Sequence, residues 1–329
     1  MNLTKFPRIR YTHSPTPIEE ASRFSEALGG PTISIKRDDL LGLTEGGNKT
    51  RKLEFLIADA KAKGADTIIT AGGIQSNHCR LTLAACVKAN LNCILVLEEN
   101  AINQYDTQTN GNFLLYQLLG TEAIKIVANG TDVYAEMDQV ANEVKEEGRT
   151  PYLIPIGGSN VIGATGYAAC AKEIVDQGED FDYVICASGS GGMHGGLLAG
   201  FLGLEKKTEV IGMNVSRAKQ EQEEKVYELT KATALHLGIE KSIPREKILC
   251  FDEYVGPGYA LPTLGMVEAV KLLASTEAIL LDPVYTGKTM AGLIDLIRKG
   301  YFKQSDKILF LHSGGTPAIY AYSPIFYEK

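Results

Sequence analysis

The chain has no surplus of positive charge: 33 Lys and Arg against 40 Asp and Glu give its 329 residues a formal net charge of -7. Without a basic field to displace counterions from a phosphate backbone, nucleic acid is not expected as its main partner. Long apolar runs are missing as well. Met1–Arg10 holds none, which argues against a secretory leader, and Ala278–Leu281 is cut short by Asp282 and Pro283, so no membrane span is expected. The six cysteines, at 79, 86, 93, 170, 186 and 250, form no Cys-x-x-Cys pair and lie mostly in apolar surroundings. They read as reduced, small core residues of a cytoplasmic protein and not as a disulfide scaffold. Five histidines without ligand-like spacing give no reason to expect a metal site. What is present, 44% hydrophobic and 22% charged residues, suits a globular chain long enough for two domains.

Short β-branched runs alternate with longer amphipathic segments. Strands are expected at Thr67–Thr70, Asn92–Leu97, Ala123–Val127, Tyr152–Ile154, Tyr183–Ala187, Glu209–Asn214 and Lys307–Leu311. Between them, helices are expected at Leu53–Lys63, His78–Asn90, Asn110–Leu119, Val133–Glu147 and Ala164–Gln177. This order predicts an α/β fold with mostly parallel sheets covered on both faces and ligand loops at the carboxyl ends of the strands. The mixed charges of Lys219–Lys231 read as a solvated helix face. Residues 48–162 form a candidate small domain, and 1–47 with 163–329 a larger one, the chain crossing back near the turn Pro155–Ser159.

The segment Gly46-Gly47-Asn48-Lys49-Thr50-Arg51-Lys52 puts a lysine between a glycine pair and a helix. Crowding and neighbouring cations there would lower its pKa and make it a nucleophile, as in a Schiff base to an aldehyde such as pyridoxal phosphate (PLP). A solvated basic helix start would give the same string. Gly189-Ser190-Gly191-Gly192 follows an expected strand and opens a helix, the arrangement of a phosphate cup made from backbone N–H groups, although a close-packing loop without a ligand would read the same way. Two other cofactor classes fit less well. A dinucleotide loop would need glycine at His194, and a P-loop ending at Lys49-Thr50 is broken by Asn48, while one ending at Lys288-Thr289 has Asp282 in place of its first glycine. PLP needs a lysine and a separate cup, and both are there. Ser76, Asn77 and His78 begin another helix and could grip a carboxylate, although Ser76 would also serve as a plain N-cap.

Together these segments resemble the fold-type II PLP enzymes related to 1-aminocyclopropane-1-carboxylate (ACC) deaminase and D-cysteine desulfhydrase. The likeness runs from Phe6-Pro7-Arg8 through Lys36–Asp39, Gly46–Lys52, Gln75–His78, Pro155–Ser159 and the glycine cup. It continues through Pro257-Gly258-Tyr259 and Leu281–Gly287 to His312–Pro317. It implies two open, twisted, mostly parallel sheets flanked by helices, a homodimer, and a small amino acid as substrate. By position, Lys49 resembles the Schiff-base lysine and Asn48 its neighbour beside the cofactor. Asn77 resembles the residue near the ring hydroxyl, and Ser76 with the amides of Asn77 and His78 the carboxylate grip. Gly189, Ser190, Gly191 and Gly192 resemble the phosphate loop, and Tyr259 and Tyr285 the tyrosines facing the substrate. Thr286 and Ser313 are like the desulfhydrases, whereas the deaminases carry glutamate and an apolar residue there. The resemblance thus implies a carbon–sulfur lyase releasing hydrogen sulfide from D-cysteine, with ACC, L-cysteine or another small amino acid as alternatives. Met193 departs from the threonine usual in the cup.

Overall fold

Runs such as Cys93-Ile94-Leu95-Val96-Leu97 are apolar on both faces of a strand, so each face must be covered by helices. The computed structural model describes residues 1–100, 106 and 110–327. Its strands are β1 (Ile18–Glu20), β2 (Thr32–Lys36), β3 (Thr67–Gly73), β4 (Asn92–Glu98) and β5 (Ala123–Val127). They continue with β6 (Pro151–Ile154), β7 (Tyr183–Ser188), β8 (Glu209–Asn214), β9 (Leu249–Phe251) and β10 (Lys307–Leu311). One sheet has the order β5-β4-β3-β6 and is parallel throughout; the other has the order β1-β2-β10-β7-β8-β9, where only β1 runs antiparallel to its neighbour. The mostly parallel α/β expectation is borne out.

Alternate residues face opposite cores. In the larger sheet, Val184, Cys186, Leu309 and Leu311 pack with Leu197 and Phe201 of the helix Gly192–Gly203. Ile185, Ile308 and Phe310 face Leu273, Leu293 and Ile294 of the helices Leu264–Glu277 and Thr286–Arg298. In the smaller sheet, Cys93, Leu95 and Leu97 face the helices Lys49–Ala62 and Asn77–Ala89, and Ile94 and Val96 face Val133–Glu146. All six cysteines are buried and unpaired. Among the described residues no helix is long and apolar enough to cross a membrane.

Several elements lie outside the expected set. β2 is hidden by Ser34 and Lys36, which interrupt its apolar run. Lys36 is nevertheless fully buried, because its ammonium meets Thr16 O (2.7 Å), Glu173 Oε1 (2.6 Å) and Gln177 Oε1 (2.6 Å). The lysine-bearing helix begins at Lys49, four residues before Leu53, where its apolar periodicity starts.

Candidate active site

The chain enters the site through a turn that only glycine fits. Gly46 has φ +58°, and a Cβ there would lie 1.6 Å from Asp39 O. Asn48 N donates to Ser313 O (3.0 Å), tying the turn to the end of β10. The helix that follows has neither a side-chain cap nor an acid in its first turn. Burial lowers Lys49 to about 8, against the opposing pull of Asp282.

Facing it, Gly191 (φ +88°) turns the chain after β7 into the helix Gly192–Gly203. The turn at Gly157–Ser159 closes against this loop. Ser159 Oγ accepts from Gly192 N (3.2 Å) and from Lys52 Nζ (2.9 Å), and donates to Ser190 Oγ (2.7 Å). Lys52 also donates to Gly157 O (2.9 Å) and makes no ion pair among the described residues. Burial and the charge of Lys49 push its pKa well below the usual lysine range. A Cβ on Gly192 would come within 2.5 Å of Ser159 Oγ and 2.7 Å of Lys52 Nζ. Bare N–H groups, hydroxyls and an unneutralised buried cation make this a cradle suited to an anion. Met193, expected to cost the cup a hydroxyl, instead accepts from Asn48 Nδ2 at its sulfur (3.6 Å).

A third wall is the start of the helix Asn77–Ala89. Ser76 Oγ accepts from Cys79 N (3.2 Å), the plain N-cap, which leaves the hydroxyl proton available to another acceptor. Asn77 Oδ1 accepts from Asn112 Nδ2 (2.8 Å), and Asn112 Oδ1 accepts from Arg80 Nε (2.6 Å). Arg80 also donates to Thr44 O and Gly46 O, so one buried guanidinium links the lysine turn to the asparagine pair. Thr70 donates to Ile154 O (2.8 Å), so it must accept from His78 Nε2–H (2.8 Å). Burial and the two lysines keep His78 neutral.

On the remaining side the hydroxyls of Tyr259 and Tyr285 lie 2.6 Å apart. Burial, then Tyr259, raises Tyr285 well above the ordinary phenol range. Fully buried Asp282 holds the turn below them, accepting from Val284 N (2.9 Å), Tyr285 N (3.0 Å), Thr286 N (2.7 Å) and Thr286 Oγ1 (2.7 Å).

These walls enclose a cavity of about 450 Å³ at the carboxyl ends of strands from both sheets, β3, β4, β7, β8 and β10 among them. Of the residues singled out in the sequence, Asn48, Lys49, Ser76, Asn77, His78, Gly189, Ser190, Gly191, Tyr259, Tyr285 and Ser313 line it. Gly192 and Thr286 do not, Gly192 lying behind the cup and Thr286 being engaged by Asp282. Sequence reasoning missed Lys52, Ser159, Asp282, Arg80 and Asn112. Only Lys52 had a local signal, as a second lysine three residues, nearly one turn, after Lys49.

Residues 9–314 match the sequence family of pyridoxal-phosphate dependent enzymes. A crystallised ACC deaminase homologue is 37% identical to this chain, with a TM-score of 0.89 over 98% of this chain and 96% of that one. A PLP-dependent aspartate racemase (15% identity, TM-score 0.68, 92% and 90% covered) has the same fold. So does processed threonine deaminase isoform 2 of Solanum lycopersicum (17% identity, TM-score 0.63, 92% and 79% covered). An amine of lowered pKa and a cationic anion cradle facing one cavity are what an aldehyde carrying a phosphate requires. The chain belongs to the pyridoxal-phosphate dependent enzymes of fold type II, and pyridoxal 5'-phosphate is its cofactor.

Proposed function

We propose that the protein is a D-cysteine desulfhydrase: D-cysteine and water give hydrogen sulfide, ammonia and pyruvate. The observation that carries this reading is an amine lowered to about 8 sharing a cavity with a hydrogen-bonded phenol pair. An α,β-elimination needs a base for the Cα proton and an acid for the group leaving Cβ. Lys49 is the base, neutral in a useful fraction near pH 8. Tyr259 or Tyr285 protonates the departing sulfur, and Tyr285, with its raised pKa, stays protonated at that pH. When bound, the cofactor supplies the electron sink into which the Cα–H pair is drawn.

The other walls bind and orient. Ser76 Oγ–H and the N–H groups of Asn77 and His78 take the substrate carboxylate. Gly189, Ser190 and Gly191, backed by Gly192, would take the cofactor phosphate with Ser159 and Lys52, Asn48 and Asn77 would flank its ring, and Ser313 would offer a hydroxyl to its ring nitrogen. With threonine at 286, where the deaminases carry glutamate, that position offers the ring no carboxylate, which leaves the sink weak and favours a good leaving group such as thiolate. Thr286 supports Asp282 from behind. The same reading takes 1–47 with 163–329 as a cofactor-binding domain, 48–162 as the small domain, and the whole as a cytoplasmic homodimer.

Ring opening of ACC is the second reading, favoured by the 37% identity to an ACC deaminase homologue. Purified enzyme given D-cysteine, L-cysteine, ACC and D-serine side by side decides between them, with sulfide and keto acid measured. D-cysteine should show the highest kcat/KM, and a faster reaction with ACC would overturn the desulfhydrase assignment. Lys49→Ala should lose both the visible cofactor absorbance and sulfide release.

A further inference from the structure

Gly287-Lys288-Thr289 looked like the end of a phosphate loop, yet Lys288 does not reach the cavity. Its side chain is fully buried in the first turn of the helix Thr286–Arg298. Its ammonium donates to Val255 O (2.6 Å) and Gly258 O (2.9 Å), and it makes no ion pair among the described residues. Those two carbonyls belong to the loop that delivers Tyr259. The loop does not hold its own shape cheaply: Ala260, next to Tyr259, is buried in the left-handed region at φ +63°. Tyr285 is the N-cap of the helix that carries Lys288 one turn further on, so the two lie on neighbouring positions of one face. One helix end therefore presents the first phenol and grips the loop presenting the second.

We propose that Lys288 is a positioning residue that sets the contact between Tyr259 and Tyr285. Two N–H donors on the helix of Tyr285 fix where the loop of Tyr259 can stand, and with it the 2.6 Å separation of the hydroxyls. The proposal rests on the reading of that pair as the proton donor to the leaving group. Burial lowers Lys288 to about 8, and a neutral amine still offers two N–H groups, so the clamp persists through deprotonation.

The test uses holoenzyme and whichever of the four amino acids above reacts fastest, comparing Lys288→Met, Tyr259→Phe and the double variant. Tyr259→Phe should lower kcat about 100-fold or more, the usual worth of a placed general acid. Lys288→Met should lower kcat about tenfold with KM little changed and the visible cofactor spectrum kept, and should add nothing in the Tyr259→Phe background. Losses that multiply in the double variant, or a Lys288→Met enzyme of full rate, overturn the proposal alone. A Tyr259→Phe enzyme of full rate overturns the proposal, and the proton-donor reading falls with it if Tyr285→Phe also keeps full rate. Should Lys288→Met fail to fold, Lys288→Gln, which retains N–H donors on a shorter arm, must show the same non-additivity.

Discussion

Lys52→Met is expected to weaken cofactor binding without destabilising the cofactor-free protein. Among the described residues, two neutral acceptors, Gly157 O and Ser159 Oγ at 2.9 Å each, are all that its ammonium has. In an empty cradle the charge is therefore a burden, and its pKa falls well below its ordinary value of 10.5. With a phosphate in the cradle the same charge makes an ionic hydrogen bond worth about 1.5–3 kcal/mol. At about 1.4 kcal/mol per decade, its loss raises the dissociation constant about 10- to 150-fold. Methionine fills nearly the same space, so no cavity complicates the comparison. Apoenzyme is titrated with PLP by visible absorbance and melted with and without it. The apo variant should melt no lower than wild type, while the gain in stability on binding shrinks by about the same 1.5–3 kcal/mol at equal ligand concentration. The pH dependence has a definite sign. Folded apoenzyme binds fewer protons than the unfolded chain between the lowered pKa and 10.5, so its stability rises with pH across that window, and the variant should flatten the rise. Unchanged cofactor affinity with a lower apo melting point would refute the argument and make Lys52 a brace for the 157–159 turn.

Three further outcomes can be measured. Cofactor capture by apoenzyme, followed as growing visible absorbance, should accelerate with a midpoint at about pH 8, and Asp282→Asn should move that midpoint down, since Asp282 holds Lys49 up. An upward move would contradict the electrostatics. Arg51→Leu strands fully buried Asp38, whose oxygens lie 2.7 and 2.8 Å from the guanidinium, and should cost about 3–5 kcal/mol in urea unfolding. A loss under about 1 kcal/mol would be inconsistent with that burial cost. Asn112→Ala frees Asn77 and leaves Arg80 short of an acceptor. It should lower kcat/KM about tenfold alongside about 1–3 kcal/mol of stability, and unchanged kinetics would show that Asn77 needs no brace.

What was legible in the sequence was local. Runs like those of β4, β7 and β10 announce buried parallel strands, and glycines between a strand and a helix announce a backbone loop able to hold an anion. Side chains meeting across the fold were not legible. Ser159 joins the cup from 31 residues before Ser190, and Lys52 meets Gly157 across 105 residues, so neither spacing carries a signal. The same distance rule hid β2, since burying Lys36 depends on Glu173, 137 residues away. Likeness by position also misplaced one side chain relative to the cavity. The resemblance gives Thr286 to the cofactor side, but Asp282 four residues earlier takes both its hydroxyl and its N–H.

The string Lys49-Thr50-Arg51-Lys52 shows why this helix start belongs to a binding site and not to a structural one. Three cations sit in the first turn, where the helix dipole already presents positive charge, each unfavourable by about 0.3–1 kcal/mol. The fold neutralises only the middle one. Arg51 turns away from the cavity to Asp38 and Glu173, and although burial alone would raise Glu173, Arg51 and Lys36 hold it at about 2. Glu173 is thus ionised at any pH the enzyme meets, and it anchors the helix from behind. Lys49 and Lys52 face the cavity with no carboxylate hydrogen-bonded to either among the described residues. A protein selected for stability alone would place an acid in that turn. On the proposed reading the missing anion is the cofactor: its phosphate would answer Lys52, and Lys49 would hold its aldehyde. Binding should therefore stabilise this helix end. Cofactor-dependent protection against amide exchange should then be largest in the first turn of Lys49–Ala62. Protection confined to the glycine loop would mean that the helix was settled before the cofactor arrived.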